Sequence, residues 1–214
     1  MIDQETEPAP TLAEDSSWLG RLGPALVVTV AGGALGALGG WLWYLWWGPP
    51  NNGSIYDTAT WGPRWLDLSD KGIAHQFAGP GQYAVIALGF GVLLGILAAV
   101  LGRRRALAAL AGLVIGSALA AYLAWAVGTA LSPPDPQRYA TADNVCREEP
   151  CEEYPAAIEL SGWTPLLVWP IASLGAFCTA IIAMSGAGEV RRQQVGQQEA
   201  GAWLQPVRVD RSEP

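Results

Sequence analysis

Few residues in this 214-residue chain have the type and spacing to do chemistry. Cys146 and Cys151 stand with four residues between them in the run Cys146-Arg147-Glu148-Glu149-Pro150-Cys151-Glu152-Glu153. Two thiols that close together form a disulfide in an oxidising compartment and stay reduced or bind metal in a reducing one, so their location decides their role. The third cysteine, Cys178, sits in an apolar run and reads as a small packing residue. His75 is the single histidine. Alone it makes a poor metal site, and it lacks an evident partner for general acid-base work. Glu148, Glu149, Glu152 and Glu153 could attract a divalent cation, but without EF-hand spacing or a histidine they read as a solvated acidic tip. Asn52-Gly53-Ser54 fits the short glycosylation acceptor pattern. No nucleotide loop, zinc-protease motif, nucleophile elbow or dinucleotide fingerprint occurs. No catalytic, cofactor-binding or metal-ligating residue is therefore assigned, and no cofactor is expected.

The elements that carry these residues are set by an apolar composition. Hydrophobic residues make up 51% and charged residues 14%, which is too apolar for a soluble core of this size and points to a lipid bilayer. A net charge of −7 with no basic stripe argues against nucleic acid as a partner. Eleven of the twelve basic residues are arginine, and Ala, Gly, Pro and Trp are abundant, a bias typical of GC-rich bacterial genomes.

A bilayer core of about 30 Å needs roughly 20 apolar residues in a helix. Four uncharged stretches qualify, at about 24–47, 83–102, 106–131 and 163–184. The sequence thus predicts an all-α membrane protein, a four-transmembrane-helix bundle with two exterior loops. Residues 1–23 form an acidic N-terminal segment, 24–184 the spanning domain and 185–214 a polar tail, read as largely disordered after Gly188. Positively charged loops resist translocation. Arg103, Arg104 and Arg105, in the tight turn between spans two and three, put that turn and both termini in the cytoplasm. Arg21, Arg191 and Arg192 agree. The chain is expected in the bacterial plasma membrane, and both loops face outward. Cys146 and Cys151 then lie outside, where a disulfide is expected. The tryptophans and tyrosines near the outer span ends, from Trp41 to Trp47, at Tyr83 and Trp125, and at Trp163 and Trp169, read as a headgroup-level belt.

Within the exterior loops, Ser54-Ile55-Tyr56 reads as a short strand, and the piece around Trp61, Trp65, Leu66 and Leu68 as an amphipathic turn on the headgroups. The second loop, 132–161, has seven acidic residues against two arginines. Each span carries small residues four apart, the pattern that lets helix backbones approach closely in lipid. They include Gly32, Gly36 and Gly40 in span one, Gly91 and Gly95 in span two, and Gly112 and Gly116 within a strip running from Ala108 to Gly128 in span three. A four-residue step overshoots one helical turn by about 40°, so the long strip winds and suits a right-handed crossing or two successive partners. The strips serve packing within the bundle, or one is left for a homo-oligomer or a partner membrane protein. No span contains Asp, Glu, Lys, Arg or His, which argues against a pump, proton-coupled transporter or voltage sensor. Thr29, Ser117, Ser173 and Thr179 are expected to bond back to their own helices, and Pro170 to kink span four.

The run from Gly32 to Gly40 into Trp41-Leu42-Trp43, the segment Ala74-His75-Gln76-Phe77-Ala78-Gly79, the glycine-spaced second span, the arginine turn and the small-residue third span together resemble a family of uncharacterised actinobacterial four-span membrane proteins, catalogued as a domain of unknown function. The resemblance covers about 25–184. It implies the span count and location, and no reaction. The leading expectation is a non-enzymatic membrane protein that works by association, as an accessory or scaffold subunit. The alternatives are a thiol-disulfide oxidoreductase of the four-span type, which would need a second cysteine pair, and a passive channel or lipid-binding protein.

Overall fold

The structure, a computed structural model, describes the backbone of residues 18–160 and 162–203, with side chains except at 18–21, 70, 71, 73, 75–77 and 187–203. Four helices dominate: α1 (Trp18–Trp47), α2 (Asp70–Leu101), α3 (Ala106–Leu131) and α4 (Val168–Trp203). Among the described residues four stretches are long and apolar enough to cross a membrane: Leu22–Trp47, Ala78–Arg104, Ala106–Leu131 and Thr164–Gly186. The all-α class and the number of apolar helices agree with the sequence.

Helix boundaries differ from expectation at the starts of α1 and α2 and at both ends of α4. α2 begins at Asp70, well before Tyr83, because the Ser69 side chain caps it, its Oγ accepting the Gly72 N–H at 3.2 Å. Pro80 is absorbed inside α2, although it removes one backbone donor. Pro170, expected to kink the outer turns of span four, lies in the first turn of α4, where its missing N–H costs little. The stretch after Gly188, expected to be largely disordered, continues α4 to Trp203. It is rich in Glu, Arg, Gln and Ala and has no proline before Pro206, so nothing stops the helix. The acidic segment 1–17 and residues 204–214 lie outside the described residues.

The closest helix pairs are not neighbours in sequence. Built at Gly36, a Cβ would lie 2.6 Å from the Ala120 Cα, and the same closeness recurs between Gly32 and Gly116 and between Gly40 and Ala124. Partner numbers rise together, so α1 and α3 run parallel. Gly112 against Ala25 and Gly128 against Trp43 extend this seam, and the winding strip of α3 follows one partner throughout. Gly91 meets Ala172 and Gly95 meets Ser173 and Ala176 in a second parallel seam, between α2 and α4. α1 also packs on α2 and joins the two pairs. Thr29 departs from the expected back-bonding, because across this narrow seam its Oγ1 donates to Gly112 O of α3 at 3.3 Å. Ser117, Ser173 and Thr179 bond within their own helices as expected.

At one end of the bundle the residues between the helices fold into a cap. Strands β1 (Asn52–Thr58) and β2 (Gly62–Leu66) form a hairpin, and β3 (Tyr154–Pro155), from the second loop, pairs antiparallel with the other side of β1. Gly62, with φ of 68°, lies in the left-handed region that the hairpin turn requires. The amphipathic turn expected around Trp65 is instead β2, and the Trp65 Nε1–H donates to Tyr154 O at 3.0 Å.

Two core clusters result. The cap-side cluster contains Trp43, Trp47, Tyr83, Trp169, Ala156 and Ile158, which pins the second loop to the helix ends. The other cluster includes Val28, Leu94, Leu113 and Phe177. The aromatic belt therefore divides. Trp41, Trp46, Trp125 and Trp163 are exposed on the bundle surface, whereas Trp43, Trp47, Tyr83 and Trp169 are buried core. A buried indole or phenol needs a polar partner. Trp43 Nε1–H donates to Gly79 O and Tyr83 Oη–H to Ala121 O, each at 2.8 Å.

Candidate functional site: a cavity beneath the cap

The sequence-predicted residues fall into three separate places. Cys146 and Cys151 are disulfide-bonded in the cap, with their Cα atoms 5.3 Å apart. The bridge does more than close a loop tip, since the Cys146 N–H donates to Ile55 O at 2.8 Å and ties the ring to β1. Gly32, Gly36, Gly40, Gly112 and Gly116 form the α1/α3 seam, and Gly91 and Gly95 the α2/α4 seam, all inside the chain. Arg103 and Arg104 lie in a 3-10 turn at the end opposite the cap, followed by Arg105, and all three are exposed. Arg103 Nε donates to Met184 Sδ at 3.4 Å, the only described contact that ties this turn to α4 by a side-chain hydrogen bond. The side chains of Arg21, His75, Arg191 and Arg192 are outside the described residues.

Cys178 corrects an expectation. It is exposed on the outer face of α4 and does not pack in the core, because α4 turns Ser173 and Phe177 inward instead. With Cys146 and Cys151 bonded to each other, the third thiol stands apart on the apolar surface, without the second pair that an electron relay needs.

The feature that sequence inspection missed is a cavity of about 560 Å³ between the cap and the helix ends, within the range of small-molecule sites. Five segments line it: the end of α1 with Trp47, β2 and its exit with Arg64, Trp65 and Asp67, the start of α2 with Gly72 and Gly79, the turn at Asp135 to Gln137, and the stretch after β3 with Glu159. Glycines shape two walls. A Cβ on Gly72 would lie 2.6 Å from the Asp67 Cβ, and one on Gly79 would touch Trp47 and the Glu159 backbone at 3.6 Å. Gln137 stitches the cap across the cavity, its Oε1 accepting the Trp65 N–H and its Nε2 donating to Pro63 O, both at 3.4 Å.

The electrostatics are asymmetric. Asp67 Oδ1 accepts the Ser69 N–H at 2.9 Å and Asp135 Oδ1 accepts the Gln137 N–H at 2.8 Å, which fixes each carboxylate in a local turn. Neither carboxylate, nor Glu159, forms an ion pair with a described residue. Arg64 holds its guanidinium over the Trp61 ring, 5.3 Å from the centroid. Partial burial raises the Glu159 carboxyl above its ordinary range, and the nearby Asp135 charge raises it further. Among the described residues no three His, Cys, Asp or Glu side chains are drawn close enough to hold a metal ion.

A second hollow, apolar and about 310 Å³, opens on the outside of the bundle between Ala118, Ala121, Tyr122 and Trp125 of α3 and Leu167 and Pro170 at the start of α4. No spacing rule links residues drawn from five segments, and the pairing of β1 with β2 and β3 helps bring the first cavity together. No family model, no curated protein and no solved structure matches this chain, so the functional reading rests on its own geometry.

Proposed function

We propose that this chain is a non-enzymatic multi-pass protein of the bacterial plasma membrane that acts by association, as an accessory or scaffold subunit, and that it engages its partner through the cap. In this reading the arginine turn and both termini face the cytoplasm and the cap faces outward, as the charge bias and the disulfide favour. The likeness to uncharacterised actinobacterial four-span proteins belongs to the same proposal.

One observation carries it. The cap is a folded, disulfide-tied surface displaying Trp61, 71% exposed, with Arg64 against its ring, and a Tyr139–Tyr154 stack at 5.0 Å. Tryptophan, tyrosine and arginine are the residue types that dominate association energies. The spans support this by default. They carry no Asp, Glu, Lys, Arg or His, and their glycine seams are occupied within the chain, which leaves the cap as the broad folded polar surface among the described residues.

The test is a photo-crosslinking residue placed at Trp61 or Tyr139 in living cells, with Leu107 on the outer helix face, 83% exposed, as the control. The expected result is a discrete adduct with another polypeptide from the cap positions and none from Leu107. Adducts with a second copy only would redirect the reading to a homo-oligomer, and no protein adduct from either cap position would refute it. A lipid-binding reading has one observation of its own, the apolar hollow beside Tyr122 and Trp125, of a size to seat an acyl chain. It predicts lipid adducts from Tyr122.

A further inference from the structure

We propose that the cavity beneath the cap binds an aliphatic amine bearing two or more ammonium groups, with Asp67, Asp135 and Glu159 receiving the charges and Trp65 flanking the alkyl chain.

The inference goes beyond association and does not depend on it. A cavity of about 560 Å³ is far larger than a bare ion needs. Among the described residues its walls combine the Trp65 indole with three carboxylates against one guanidinium, and that guanidinium is engaged with Trp61. Each aspartate spends one oxygen on a backbone N–H and keeps the other free to accept, while Glu159 has neither oxygen committed. The free acceptors thus call for a donor-rich cation. Spacing narrows the class. The carboxylates line one cavity without converging as metal ligands do, so the complementary charge must be distributed along a molecule. An ammonium carried on methylene groups meets both requirements, because the charge pairs with carboxylates and the chain covers an indole face. The upward displacement of the Glu159 carboxyl by Asp135 has the same meaning, since two like charges share a space that a cation would relieve.

Spermidine is the probe, titrated calorimetrically into the full chain in a non-ionic detergent at neutral pH. Saturable binding at about one per chain is expected, weakening as salt rises because the site is partly open to solvent. Asp135→Asn and Glu159→Gln should each weaken it tenfold or more, whereas Glu148→Gln with Glu149→Gln, acidic but on the disulfide tip away from the cavity, should leave it unchanged. A thermal melt of each variant separates lost binding from lost folding. Absence of saturable binding to the folded parent would overturn the proposal, as would equal weakening by the tip variants, which would mean diffuse charge attraction, or displacement by an equal charge concentration of magnesium. Because the crosslinks from Trp61 and Tyr139 are read without spermidine, failure here leaves the association reading standing, and the reverse also holds.

Discussion

Glu159 is the residue at which local environment and stability connect most directly. Its carboxyl titrates above the ordinary value in the folded chain, raised by burial and then by Asp135. The folded state therefore takes up this proton more readily than the unfolded state. Its contribution favours folding most fully below the ordinary carboxylate value, about 4.3, and is lost as pH rises through the raised value. Glutamine resembles the protonated form. Glu159→Gln is thus expected to melt above the parent at neutral pH and together with it below about pH 4. Solvent at the mouth screens the charge, so the gain should not exceed about 2–4 °C, the scale of 1 kcal/mol in a chain of this length. Paired melting curves at the two pH values check it, and a variant that melts below the parent at neutral pH would contradict the sign. None of this was legible in the sequence, where Glu159 is one acid among seven in its loop. Its neighbours come from segments joined only by tertiary structure. The cysteine pair was legible because the two thiols are close in the chain. Cys178 was misread because apolar residue type alone does not distinguish the core face of a membrane helix from its outer face.

At the scale of elements, the four-residue spacing of small residues announced close helix packing but not which helices would meet. Short connections suggest that α2 and α3, joined by the arginine turn, should pair most closely. Instead the glycine seams join α1 to α3 and α2 to α4, both parallel because alternate helices run the same way, and small residues at the facing positions let these backbones approach closely. The start of α2 escaped notice for a different reason. Asp70, Lys71, Gly79, Pro80 and Gly81 look like loop residues, and only the Ser69 cap and the packing above them make that stretch helical. The seam makes a paired prediction. At Gly116 a Cβ would lie 2.9 Å from Val28 O, whereas Gly89 has no neighbour within 4 Å. Gly116→Leu should insert normally, since leucine suits lipid, yet lose about 1–3 kcal/mol to overpacking. Gly89→Leu should match the parent in insertion and melting temperature. Equal behaviour of the two variants would mean that the α1/α3 seam is not the closest contact in the bundle.

At the scale of the whole molecule, the bundle has two unlike ends, an exposed arginine turn and a disulfide-tied cap with an acidic cavity. A multi-pass arrangement puts those ends on opposite sides of the bilayer. Arginine-rich turns are retained in the cytoplasm, and disulfides persist in oxidising surroundings, so two unrelated physical effects favour the orientation proposed above. Orientation also decides whether the cavity can meet amines outside the cell. Cys178→Ala removes the single thiol on the apolar surface and should be tolerated because that position is exposed. In that background, Cys146 and Cys151 should escape a membrane-impermeant maleimide on intact cells until a reductant is added. Ala59→Cys, at the exposed hairpin tip, should label without permeabilisation. Arg104→Cys keeps Arg103 and Arg105 to hold the turn inside, and should label only after the membrane is opened. Labelling of Arg104→Cys in intact cells together with protection of Ala59→Cys would invert the molecule. The cap would then face a reducing compartment, the bridge would lose its setting, and a partner for Trp61 would have to be sought in the cytoplasm.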